Sequence, residues 1–268
     1  MNTPDTEITH KGIIVIQSLS KNERKTGDEL QKDILQYKEY LHGDSFVDFY
    51  NVSSVRDFIN TLENIENNMS KGRVFTLHLE THGSEDGIHL ASGECMTWRL
   101  FFDNIRPINI KMGHLLIIIM AMCKGGSLIS YIEPEKRAPF RAFIGAFRDI
   151  TVDEVIRGFS AFYGSFTSML DVVEGMKALD AEIDGINPKK KTFWCFSAEN
   201  IFDSTFNPDR DPKHFNQMVT EQLANHISRG ETYITRAQVD EMIRNLLKQT
   251  SDKYRDYYCF NDIFGIKL

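Results

Sequence analysis

The chain has 268 residues, 41% of them hydrophobic and 26% charged, ordinary proportions for a globular protein able to bury a substantial core. A formal net charge of −7, with Lys189-Lys190-Lys191 as its one basic cluster, argues against a nucleic-acid partner. The longest apolar run is too short to span a bilayer, the polar amino terminus does not read as a signal peptide, and four scattered cysteines suit reduced thiols; a cytoplasmic protein without a membrane partner is expected.

Residues 12–16 read as a short buried strand, followed from about Thr26 by a helix with Leu30, Ile34, Leu35 and Leu41 near one face. Residues 46–50 read as a second strand. Val55, Phe58, Ile59, Leu62, Ile65 and Met69 then recur at the three-four spacing of an amphipathic helix. A third strand over residues 74–81 runs into His82-Gly83. Residues 87–90 and 95–98 flank Ala91-Ser92-Gly93-Glu94 as a small hairpin, and a short helix is expected around residues 100–105. Residues 115–122 form an unbroken apolar run of the kind found in a parallel strand covered on both faces, ending at Cys123. Beyond it come a strand at 142–147, a long helical pattern from Val152 to Val173, a strand at 192–196, and helices at about 212–228 and 235–248. Strands alternating with helices predict an α/β fold with a largely parallel sheet. The expected organisation is a core over residues 1–200 and a helical extension over 201–268 packed on the same domain.

Two strand ends carry the chemistry. The third strand gives way to His82-Gly83, and the apolar strand gives way to Cys123-Lys124-Gly125-Gly126. Functional residues of open α/β sheets gather at the carboxyl ends of strands. Neighbouring strands lie about 4.8 Å apart, so His82 and Cys123 can approach each other if these two strands are adjacent. A thiol needs deprotonation to become a strong nucleophile, and an imidazole can take its proton. Lys124 and the amides of the following turn would add positive potential. The backbone N–H groups of Gly83 and Cys123 are the natural donors to an oxyanion.

Each residue alone has a plainer explanation, since buried cysteines are commonly inert and a histidine at a strand end is commonly just a hydrogen-bonded polar group. The joint pattern is more specific. His78 and His82 are four apart, as in a zinc-binding helix, but His78-Leu79-Glu80-Thr81-His82 lacks glutamate directly after the first histidine and its surroundings favour a strand. On a strand the two would stand about 13 Å apart. No metal and no cofactor are therefore expected, and His78, Cys95, Cys195 and Cys259 read as structural.

The segments from Leu77 to Ile88 and from Met120 to Gly126, with Phe143-Ile144-Gly145-Ala146-Phe147 and Phe162-Tyr163 in support, resemble the caspase-like cysteine peptidases, particularly the bacterial CHAT group. The resemblance covers most of residues 12–200. It implies a three-layer α/β/α sandwich around a mostly parallel sheet of about six strands, His82 and Cys123 as the catalytic dyad, and a protein or peptide substrate. It also suggests a regulated protease of bacterial defence, switched on by a protein partner or a second messenger. Ala121 stands where metacaspases carry an acidic residue, so their arginine/lysine preference does not transfer. A catalytically silent caspase-like binding module is the competing reading.

The residue preferred at the cleaved bond is not legible. Arg24 resembles the arginine that animal caspases use for acidic substrates, whereas Asp149 and Asp153 could select a basic one; a solvated loop or helix-cap charge is the simpler and favoured reading of all three. Residues 131–139 and 184–191, rich in proline and charge, read as exposed loops through which activation could act.

Overall fold

Consecutive apolar residues in β1 (His10–Gln17) send Ile13 and Val15 to one side of a sheet and Ile14 and Ile16 to the other. The computed structural model describes residues 10–36, 45–70, 73–169, 172–185 and 191–264. Its central sheet adds β2 (Ser45–Asn51), β3 (Arg73–Glu80), β7 (Ile117–Met120), β8 (Ala142–Ala146) and β9 (Phe193–Ser197), in the order β2-β1-β3-β7-β8-β9. The β1–β2, β1–β3, β3–β7 and β7–β8 pairs are all parallel. A small antiparallel sheet, β4 (His82–Gly83), β5 (Gly87–His89) and β6 (Cys95–Thr97), follows β3 and contains the expected hairpin.

Helices cover both faces. On one lie α1 (Thr26–Leu30), continued by a π-helical turn over Gln31–Leu35, α4 (Val152–Met169) and α5 (Val172–Ile183). Leu30, Leu35, Phe159, Phe162 and Leu179 pack there with Ile13, Val15, Ile119, Ile144 and Phe193. On the other lie α2 (Val55–Asn68) and α3 (Trp98–Lys111), joined by Phe58 against Phe101 and tied to the sheet through Phe102, Phe140 and Phe143. This is the expected three-layer α/β sandwich.

The differences from expectation have local causes. The short helix expected at 100–105 runs to Lys111, through Pro107, because Phe101, Phe102, Ile105 and Ile108 bury one continuous face that outweighs the proline penalty. The long pattern from Val152 splits into α4 and α5. Close contact between the two puts Phe162 and Ile183 where a Cβ on Gly175 or Gly158 would fall. Leu41 and Leu170 lie outside the described residues.

Among the described residues, those up to Tyr131 together with 139–196 form one compact unit, and 132–138 with those from Ser197 onward form a second. The second holds α6 (Ala198–Phe206), α7 (Pro212–Ser228), α8 (Arg236–Tyr258) and α9 (Asn261–Phe264). The helix expected to stop at Lys248 extends ten residues further, because Tyr258 packs with Ala138, Ala198 and Phe202. That contact also corrects the reading of residues 131–139 as an exposed loop. Ala138 is fully buried, and Arg137 pairs with Asp262 and lies over the Tyr257 ring. Residues 186–190 of the other expected loop lie outside the described residues.

Candidate active site

The parallel register of β3 and β7 pairs Leu79 with Met120. His82 and Cys123 each follow three residues later, so one register brings both to the same edge of the sheet. The residues are a strand end apart in sequence logic and neighbours in space: both line a cleft of about 300 Å³ at the carboxyl ends of β1, β3, β7 and β8.

Glycines let these strand ends approach. A Cβ on Gly83 would stand 2.3 Å from the Cys123 carbonyl oxygen, and one on Gly126 would fall 2.8 Å from the Phe147 ring. Ser84 donates its N–H to the Gly87 carbonyl at 2.9 Å, which marks that pair as hydrogen-bonded in the β4–β5 ladder. Gly83, one residue back and opposite Ile88, then occupies a non-hydrogen-bonded position, with its N–H directed away from β5.

The reactive side chains each have a partner. His82 is exposed, with Nε2 2.5 Å from Glu23 Oε1. Cys123 Sγ accepts the Ile150 N–H at 3.3 Å and lies 3.6 Å from the Ile150 carbonyl. The positive potential expected from Lys124 is largely committed elsewhere. Its Nζ pairs with Glu85 at 3.2 Å, which holds its pKa above the ordinary lysine value, and its N–H donates to the Arg148 carbonyl. Lys124 itself adopts φ 52°, a left-handed conformation costly for a side chain with a Cβ and concentrated at functional turns. The turn continues as a 3₁₀ helix, Gly125–Tyr131.

Beneath the cleft runs a buried polar chain. Tyr163 Oη lies 3.1 Å from His78 Nδ1, His78 Nε2 lies 2.9 Å from Glu80 Oε1, and Thr26 Oγ1 donates to Glu80 Oε2 (2.6 Å). Burial first, then the Glu80 charge, push the Tyr163 hydroxyl well above its ordinary pKa. His78 is thus a fully buried member of this chain, whereas His82 is exposed. Among the described residues, no group of three or more histidines, cysteines, aspartates and glutamates could hold a metal ion.

The specificity candidates fare differently. Arg24 lines the cleft but is held by Glu29 through Nε–Oε1 at 2.9 Å and Nη2–Oε2 at 2.8 Å. Asp153 is mostly exposed and pairs with Arg157; neither it nor Asp149 lines the cleft. Glu23, Thr26, Glu80 and Ile150 escaped the sequence reading. Glu23 and Thr26 belong to a polar stretch without a motif, Glu80 lies within the histidine segment but at a position to which the pattern assigns no role, and Ile150 contributes through its peptide group, which no side-chain pattern reveals. Of the remaining cysteines, Cys259 is buried, whereas Cys95 and Cys195 are exposed.

No protein-family model matches the chain, and no curated protein sequence matches it.

Proposed function

We propose that the chain is a caspase-like cysteine endopeptidase of the bacterial CHAT type, with His82 and Cys123 as its dyad. The observation that supports this most is the shared β3–β7 register, which delivers an imidazole and a thiol, each followed within two residues by a closely packed glycine, to one cleft. In the proposed reaction the Cys123 thiol gives its proton to His82, and sulfur attacks the peptide carbonyl carbon. The N–H groups of Gly83 and Cys123 stabilise the oxyanion. Collapse breaks the C–N bond, His82 returns the proton to the leaving amine, and a thioester remains on Cys123. Water, deprotonated by His82, attacks the thioester and releases the carboxylic acid and the free thiol. Action on a protein substrate in the cytoplasm, activation by a protein partner and a role in bacterial defence belong to the same proposal, resting on the resemblance of the motifs.

One observation favours a silent binding module: Cys123 Sγ is engaged by the Ile150 peptide group, a partner other than the opposing dyad residue. A peptide library digested by the wild-type chain and by Cys123→Ala, read by mass spectrometry, separates the two. Cleavage by the wild type and none by Cys123→Ala is expected. Equal cleavage by both removes Cys123 as nucleophile, and no cleavage by the wild type, with or without cell extract to supply a partner, favours the binding module.

A further inference from the structure

We propose that Glu23 is the positioning residue of this site, holding the His82 ring by Nε2 so that Nδ1 is the nitrogen presented to the thiol. The inference rests on the peptidase reading and adds a third member to its dyad.

The geometry is that of a carboxylate behind a general base. Glu23 Oε1 lies 2.5 Å from His82 Nε2, and Glu23 Oε2 accepts the Ser20 N–H at 2.6 Å. Both oxygens are thereby aimed. A carboxylate that accepts from one imidazole nitrogen requires the proton to sit there, which leaves the other nitrogen with its lone pair. When Cys123 gives its proton to Nδ1, the imidazolium that forms is balanced by Glu23, and the same proton later leaves on the amine. A carboxylate placed in this way fixes the tautomer and stabilises the charged ring without itself taking the proton.

The loop that carries Glu23 is fastened for the purpose. β1 and β3 are neighbours, with Gln17 paired to Glu80, so the β1–α1 connection starts beside the end of the histidine strand. Ser18 donates its N–H to the Glu80 carbonyl at the loop's start, and Thr26 donates its hydroxyl to the Glu80 carboxylate at its end. Gln17 Oε1 accepts the N–H groups of Gly27 and Asp28. Inside the loop, Lys25 Nζ donates to the carbonyls of Leu19 and Ser20, and Glu23 N–H to the Ser20 carbonyl. A half-exposed ion pair on a free loop would contribute little, because ordering two side chains offsets the attraction. Here the ordering is already supplied by Glu80, Gln17 and Lys25. Burial pushes the Glu23 carboxyl up, but the Ser20 N–H and the His82 ring together hold it below its ordinary value.

Three readouts on the full chain test the role, using Glu23→Gln, which keeps the shape and the Ser20 bond but cannot balance an imidazolium. In the wild type, proton NMR should show a His82 Nε2–H signal well downfield of the amide region, lost in Glu23→Gln and retained in Glu23→Asp to a lesser degree. Peptide turnover by Glu23→Gln should fall at least about tenfold in kcat with KM little changed, a part of the 10²–10⁴ that general-base assistance supplies. Iodoacetamide labelling of Cys123 should slow in parallel. If the wild type cleaves no peptide but the signal and the labelling rate still respond to Glu23→Gln, the positioning role stands and the peptidase reading fails. An unchanged signal and unchanged labelling in Glu23→Gln overturn the role, whatever the turnover.

Discussion

Gly83 lies against the backbone of Cys123 so closely that a Cβ on the glycine would stand 2.3 Å from the cysteine's carbonyl oxygen. The obstacle is backbone, which cannot swing aside as a flexible side-chain tip can. The residue after the histidine thus meets the nucleophile itself, and the histidine and cysteine turns form one packed object.

Gly83→Ala should force these turns apart. Overpacking of this kind costs about 1–3 kcal/mol. A lowered denaturation midpoint, together with slower iodoacetamide labelling of Cys123, is the expected result. A variant with wild-type midpoint and labelling would show that the turns move independently.

His82→Ala should remove most peptide turnover, by about 10²–10⁴-fold, while far-ultraviolet circular dichroism is unchanged, since the side chain is exposed and carries no core contact. Cys95 offers an internal control for labelling: it is exposed, but partial burial and then Asp86 push its thiol up. Iodoacetamide should mark Cys123 faster than Cys95 in the wild type, and the gap should narrow in His82→Ala. Equal rates in both proteins would contradict an activated thiol.

Tyr163→Phe keeps the ring that packs in the α4–α5 core but withdraws the hydroxyl that bonds to His78 Nδ1. A polar group left unsatisfied in the interior costs about 1–3 kcal/mol. Urea unfolding should report a loss of that size. No loss would mean that His78 finds another partner and that the chain from Tyr163 to Thr26 is not what orders the end of β3.

Acid should loosen the loop that offers its peptide to Cys123. Glu154 accepts from Arg148 Nη2 at 2.6 Å and from the Thr151 N–H at 2.7 Å, and Thr151 Oγ1 accepts the Glu154 N–H in return. This closes a capping box at the start of α4, one residue after Ile150. The Arg148 bond, against the opposing effect of burial, holds the Glu154 carboxyl below its ordinary value. A carboxyl lowered by folding stabilises the fold fully above its ordinary value, and that stabilisation is lost as the pH falls through the lowered one. Amide hydrogen exchange over residues 147–154 should therefore accelerate, beyond the intrinsic change, when the pH drops through that range. In Glu154→Gln it should be fast at neutral pH and respond less to acid. Identical profiles for the two proteins would dismiss the capping box as a support of the site.

Much of the fold is legible because its signals are local. The short apolar run in residues 12–16 and the three-four spacing of Phe58, Leu62 and Ile65 predict β1 and α2, and the Gly87 and Cys95 segments predict the β5–β6 hairpin. The pattern fails where distant packing decides. Pro107 should stop a helix, yet α3 passes through it because its face is buried on the sheet. Residues 132–138 look like loop by composition, yet Ala138 is enclosed by Phe202 and Tyr258, aromatics more than sixty positions away.

The candidate site divides along the same line. His82 and Cys123 stand out in the sequence because each ends a strand at a glycine, a property of a few adjacent residues, and period-two and period-3.6 patterns likewise follow from side chains that bury one face of their own element. Which strands are neighbours is written in no single segment. The β2-β1-β3-β7-β8-β9 order and its register make His82 and Cys123 share a cleft, and they bring the β1–α1 loop beside β3 so that Glu23 meets a histidine 59 positions onward. Glu23 and the Ile150 peptide carry no sequence signal because a carboxylate or an N–H acquires a chemical role only from what tertiary packing sets within hydrogen-bond reach of it.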